Sequence, residues 1–252
     1  EGILALLSKS YNVSELYLSE SASVQTLVDA VSKYGFYTSK DMEESSWIGI
    51  PLLVHRRCQY PMFTISNAIS YNNLMVQGKE GYGKTGWYDI GGKAINKYVK
   101  EQGDFLLKKI KSMIEKDPKI IDKNESDTIY IISPFKNVAY ELGRKLGEIG
   151  FTRKEKNKVT NIGTIHTFQG KEAPVVFMVL GADTNSKGAA TWAVNEANMM
   201  NVAATRAKKE FYIIGDRKLY SGLGCEVITK VNNIITEYGN KHPELIDEKT
   251  DW

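Results

Sequence analysis

The chain has 252 residues, of which 42% are hydrophobic and 25% charged, with a net charge of +3. That composition fits a globular chain with a real core and excludes disordered and fibrous classes. The small positive charge neither requires nor excludes nucleic acid, because a binding groove needs a local basic surface rather than a basic total. Cys58 and Cys225 are the only cysteines, and neither lies in a CxxC. This excludes a disulfide framework or zinc ribbon and points to a reducing cytoplasm. No apolar run reaches the roughly 20 residues that span a bilayer, so no membrane partner is expected. The chain opens on Glu1 without a signal-peptide pattern, and is expected to be an internal fragment.

Taken in order, residues 3–9 and 21–35 carry helical spacing, with Ser21 or Ser23 as cap and Gly35 as stop. IPLLV (50–54) predicts a short buried strand, and Pro61 to Tyr71 a helix with proline in its first turn. Residues 77–93 are rich in Gly, Lys and Tyr and predict a loop around one strand, GWYDI. An amphipathic helix follows over 97–117, ended by Pro118. TIYIIS (128–133) reads as a buried strand and residues 135–150 as its helix. NIGTIHT (161–167) and APVVFMVLG (173–181) are two further predicted strands. Ala193 to Lys209 is predicted helical, FYIIGD (211–216) a last strand and residues 228–239 a closing helix.

Apolar strands alternating with amphipathic helices define an α/β class, a mostly parallel sheet with helices on both faces. Ligands of such sheets gather beyond the carboxyl ends of the strands. Ser133, the stretch from Thr164 to Glu172, and Asp216 are expected there.

GKEGYGKT (78–85) matches the phosphate-loop pattern G-x-x-x-x-G-K-[ST] literally. A working loop needs a buried strand before it and a helix opening at the lysine, so that backbone amides face the phosphates. YNNLMVQ is no clear strand, and GWYDIGGKA is a poor helix. The match is expected to be a glycine-rich loop, not a cradle built on Lys84 and Thr85.

Two segments carry a more specific pattern: GTIHTFQGKEAPVVF (163–177) and NVAATRAKKEFYIIGD (201–216). They resemble motifs V and VI of the second, C-terminal RecA-like domain of superfamily 1 helicases, 5′-to-3′ branch. LLVHRRCQYPMFTISNAISYNNLM (52–75) resembles motif IV, and IISPFK (131–136) the loop between motifs IV and V. Alignment on Tyr71 puts the motif IV arginine at Arg57, with Arg56 as the alternative. Arg56 stands where an aromatic is usual, and Gln59-Tyr60 where a His-Pro pair is usual. The motifs of a first RecA-like domain are not found. The whole chain, 1–252, is expected to form one RecA-like domain, with lead-in helices (1–49), a loop, strand and helix insertion (77–127) and a motif-bearing core (128–239).

The resemblance implies roles. Arg206 would act as an arginine finger on the γ-phosphate and Arg57 as a second sensor, since a planar guanidinium meets two phosphoryl oxygens at once. Gln169, Gly170 and Glu172 would bind the nucleotide. Thr164, His166, Thr167, Ser133 and Lys136 would hold the strand through backbone contacts. ATP and Mg2+ are the implied cofactors, bound mainly by an N-terminal RecA-like domain carrying the phosphate loop and magnesium carboxylates. The implied partners are that domain and single-stranded nucleic acid, DNA favoured over RNA. Alone, the chain is expected to be inactive; a non-catalytic RecA-like binding module is the alternative. A Cys58–His55 nucleophile lacks a visible activating group and is discounted.

Overall fold

The computed structural model describes residue 10 and residues 24–37, 47–49, 53–122, 129–168 and 170–249. The predicted helix at 3–9 and most of the predicted strand at 50–54 lie outside these. The chain divides into two compact units, Glu1–Leu53 and Val54–Trp252.

In the first unit, α1 (Val24–Val31) precedes an antiparallel pair, β1 (Gly35–Tyr37) and β2 (Trp47–Gly49). The predicted helix is thus shorter than its spacing implied, and Gly35 begins a strand instead of ending a helix. Buried Asp29 supplies the reason: its carboxylate accepts from the Gly49 amide (2.9 Å) and from Gln25 (2.8 Å), tying α1 to β2.

The second unit opens with β3 (Val54–His55), α2 (Met62–Ser70) and β4 (Val76–Gln77). β5 (Lys84–Asp89) and the hairpin β6 (Ala94–Ile95) to β7 (Tyr98–Val99) lead into α3 (Lys100–Lys116). Next come β8 (Ile129–Ile132), α4 (Lys136–Gly147), the hairpin β9 (Lys154–Glu155) to β10 (Lys158–Val159), and β11 (Ile162–Gly163). β12 (Ala173–Val179), α5 (Lys187–Asn195), α6 (Ala197–Arg206), β13 (Ala207–Gly215), α7 (Arg217–Ser221) and α8 (Glu226–Lys241) complete it.

β11, β8, β12, β13 and β5 form one sheet in that order, every pairing parallel. β8 is buried along its whole length and β12 along nearly all of it, so both faces are covered, as a parallel sheet requires. α3 packs with α4, while α2, α5 and α6 form another helical group with α8.

Two predicted elements end differently from their patterns. The helix expected over 193–209 breaks at Glu196, and β13 opens at Ala207. Ala, Lys and Glu favour helices, but pairing of Ala207 with Ala173 and of Glu210 with Lys84 overrides that preference. The strand expected over 161–167 stops at Gly163, because β11 pairs with β8 over only two residues at the sheet edge. Residues Ile165–Phe168 then form a turn of 3-10 helix.

Lys84, the lysine of the literal phosphate-loop match, opens a strand and no helix follows it. The C-terminal segment lies along this edge strand. The Asp247 amide donates to the Thr85 carbonyl (3.0 Å), and the Glu248 carboxylate accepts from the Trp87 amide (3.0 Å). Gly86 permits this approach, since an added Cβ would run into the Asp247 carbonyl. An edge strand covered in this way is protected from pairing with other chains.

Asp183 fixes the turn after β12. Its carboxylate accepts from the Ala94 amide (3.0 Å), the Asn185 amide (3.1 Å) and the Ser186 hydroxyl (2.8 Å). The Ala94 bond above all holds its carboxyl below the usual aspartate range. Asp183→Ala is expected to cost about 1–2 kcal/mol near neutral pH, the range for a lost cap. A depressed folded-state pKa gives stability that is present above the unfolded aspartate value and lost as pH falls through the folded one. The urea-midpoint gap between wild type and variant should therefore be wide at pH 7 and narrow in acid. A gap that stays constant with pH would show that the carboxylate charge contributes nothing.

Candidate nucleotide and nucleic-acid site

Arg206 is the last residue of α6, just before β13. Thr205, beside it, returns its hydroxyl to the Asn201 carbonyl (2.8 Å), and Asn201 accepts from Ser66 of α2 (2.7 Å). These bonds dock α6 onto α2. Arg206 is only 9% exposed. One terminal nitrogen donates to the Lys171 carbonyl (3.2 Å), and buried Nε has no partner among the described residues. Burial disfavours its charged form, and the positive charge of Arg57 adds to that, against the pull of Glu172. A buried guanidinium beside a second cation and lacking a bonded carboxylate is a costly arrangement unless an anion completes it.

Arg57 is exposed, and its backbone carbonyl accepts from Lys79 (3.1 Å). Of the two candidate arginines, Arg57 is the one whose charge bears on Arg206 and on Glu172. Lys79, in the glycine-rich loop, adds to the same positive field. Only its place in that loop could have signalled this in the sequence. Glu172 pairs with Lys208 (2.5 Å), which holds its carboxyl below the usual range. Gly170 is exposed and has φ +78°, a conformation that side-chain-bearing residues rarely adopt. Gln169 lies outside the described residues.

The sequence placed Thr164 to Glu172 together at the carboxyl edge of the sheet, and the structure corrects this. Ser133 and Thr164 follow β8 and β11 at that edge, whereas Lys171 and Glu172 precede β12 and Arg206 precedes β13, at the amino edge. The parallel connection from β11 to β12 must return along the sheet, so one motif serves both ends. The site is therefore two surfaces. Arg206, Arg57, Lys79, Glu172 and Lys208 form the amino-edge cluster.

At the other edge, Lys136, Thr164 and Thr167 line one cavity of about 520 Å³. His166 is exposed on the 3-10 turn and does not line it. Ser133 is fully buried, and its hydroxyl accepts from the Phe135 amide (3.3 Å), so its side chain is used locally. Cys58 and His55 do meet, at 3.0 Å, but burial pushes the thiol up to about 12. A thiol held that high carries negligible thiolate at neutral pH.

A five-stranded parallel sheet flanked by helices, with motif-bearing loops at both edges, defines a RecA-like α/β domain. A profile described as an AAA domain matches residues 56–218. The chain belongs to that family, which bears out the resemblance to a RecA-like domain of superfamily 1 helicases. No curated protein matches the chain. Among solved structures it is similar to an arterivirus helicase, nonstructural protein 10, at 16% identity and a TM-score of 0.34. That match covers 69% of this chain and 27% of the arterivirus one. The same helicase in complex with DNA gives 15% identity and a TM-score of 0.33, over 70% and 28% of the two chains. The chain thus spans about a quarter of the length of these solved structures. Among the described residues, no helix is long and apolar enough to cross a membrane, and no cluster of three His, Cys, Asp or Glu could hold a metal ion.

Proposed function

We propose that this chain is the C-terminal motor domain of an ATP-dependent helicase or translocase of superfamily 1, 5′-to-3′ branch. The carrying observation is Arg206, buried, lacking a bonded carboxylate and facing the charge of Arg57. This pair fits a polyphosphate. Arg206 would meet charge on the γ-phosphoryl oxygens, with Arg57 as a second contact. Gly170 and Glu172 would border the nucleotide, with Gln169 between Phe168 and Gly170 in the chain. Mg2+ and the phosphate loop would come mainly from a separate N-terminal RecA-like domain, as the resemblance to the C-terminal half of the motor implies. Opening and closing of the cleft between the two domains would alternate their grip on one strand. Lys136, Thr164 and Thr167 would contact that strand's backbone, with DNA favoured.

The full-length protein tests this. Arg57→Ala should lower nucleic-acid-stimulated ATP hydrolysis by about 10²-fold, the scale for losing one positioned electrostatic contact. Lys84→Ala should leave turnover near wild type, and the 252-residue chain alone should show no significant turnover. If Lys84→Ala abolishes hydrolysis while Arg57→Ala spares it, the chain is instead a self-contained phosphate-loop enzyme.

A further inference from the structure

The geometry points to a base-stacking platform at Tyr140, in the groove between α4, the β9–β10 hairpin and the turn after β11, built to hold one base of a single-stranded nucleic acid. This rests on the nucleic-acid reading of Lys136, Thr164 and Thr167 and goes beyond it. Those residues would contact only sugar and phosphate, whereas Tyr140 would engage the base.

Lys136, Tyr140 and Arg144 recur every four residues, so one side of α4 runs along the groove, with Lys154, Thr164 and Thr167 on the other walls. Tyr140 is 67% exposed, too open for a core ring. Beside it on the groove side are Ala139 and Gly143, and a Cβ built on Gly143 would meet nothing within 4 Å. The groove beside the phenol is therefore open at Gly143. A second exposed ring, Trp192, rests on Phe135 at the start of the same helix, with centroids 5.8 Å apart.

The rim is basic. Lys136, Lys154, Lys156 and Lys158 are all exposed. Arg144 is shared with Glu141 (3.1 Å) and Glu148 (3.9 Å), and Glu155 sits on the hairpin. Three cations, Lys136, Arg144 and Lys154, thus line the groove together with the exposed aromatic, and Lys156 and Lys158 lie further along the hairpin. A cationic track with an interleaved ring is the arrangement that binds single strands without reading sequence.

The test is fluorescence anisotropy of the 252-residue chain with labelled oligo(dT) and with an abasic strand of equal length. Tyr140→Ala should weaken oligo(dT) binding about tenfold, the order that stacking of one base contributes, and leave abasic binding unchanged. Tyr140→Phe should keep wild-type affinity for both, and Lys136→Ala should weaken both strands alike. If Lys136→Ala weakens binding but Tyr140→Ala does not, the platform is overturned and the strand-binding reading stands. If Tyr140→Ala weakens both strands equally, the ring holds no base, and the stacking role falls. If neither strand binds, or if polyglutamate competes as well as oligo(dT), the nucleic-acid reading falls together with the platform.

Discussion

Arg206→Ala should cut nucleic-acid-stimulated ATP hydrolysis of the full-length protein by about 10³-fold or more, the range for removing an arginine finger. Strand affinity should hardly change, since Arg206 lies at the amino edge of the sheet and the Lys136–Thr164 groove at the carboxyl edge. Arg206→Lys should recover little, because an ammonium keeps the charge but loses the planar fork. The substitution should also leave the fold intact. It removes a buried cation whose hydrogen bond is to the Lys171 carbonyl, and whose charge is opposed both by burial and by Arg57. A rise in stability together with a collapse in turnover would mark a residue kept for function at a cost to the fold. Unaltered turnover in Arg206→Ala would remove the finger role and favour a RecA-like module that only binds.

The largest stability effect is expected at the centre of the sheet. Phe177 is fully buried on β12, with Ile131 of β8 as its neighbour on one side and Tyr212 of β13 on the other. Its ring stacks on Tyr212 at 5.2 Å and 25°. Phe177→Ala should cost about 3–5 kcal/mol, lost transfer energy plus the cavity left between two fixed strands. For a unit of this size that lowers the melting midpoint by roughly 10 °C. Denaturant unfolding checks it, with an unchanged slope expected because the same surface is exposed. A loss below about 1 kcal/mol would mean that the sheet centre can collapse around the deletion. Tyr140→Ala, at an exposed position, should shift stability by less than about 0.5 kcal/mol, and so serves as the folded control.

Most of the sheet was legible because its inner strands are buried on both faces. Ile129–Ile132 and Ala173–Val179 are apolar runs that only a covered parallel sheet accommodates. Ala207–Lys209 was not legible, since Ala-Lys-Lys carries helical preference and joins the sheet only through its neighbours. The phosphate-loop letters misled in the opposite direction. Lys84 meets the pattern, but its backbone pairs with Glu210, and a residue in a ladder cannot open a helix.

The site divides in the same way. NVAATRAKKE and GTIHTFQGKE point to Arg206 and its neighbours through their resemblance to helicase motifs VI and V, which is carried by short stretches of chain. What spacing could not supply is which edge each residue occupies, that Arg57 rather than Arg56 bears on Arg206, or that Ser133 spends its hydroxyl on its own turn. Nor does any local pattern single out Tyr140. The sequence by itself determined the fold class and the motif residues, since periodicity and motif order are properties of the chain. The tertiary structure alone decided burial, pairing and like-charge proximity, since these depend on residues far apart in sequence meeting in space.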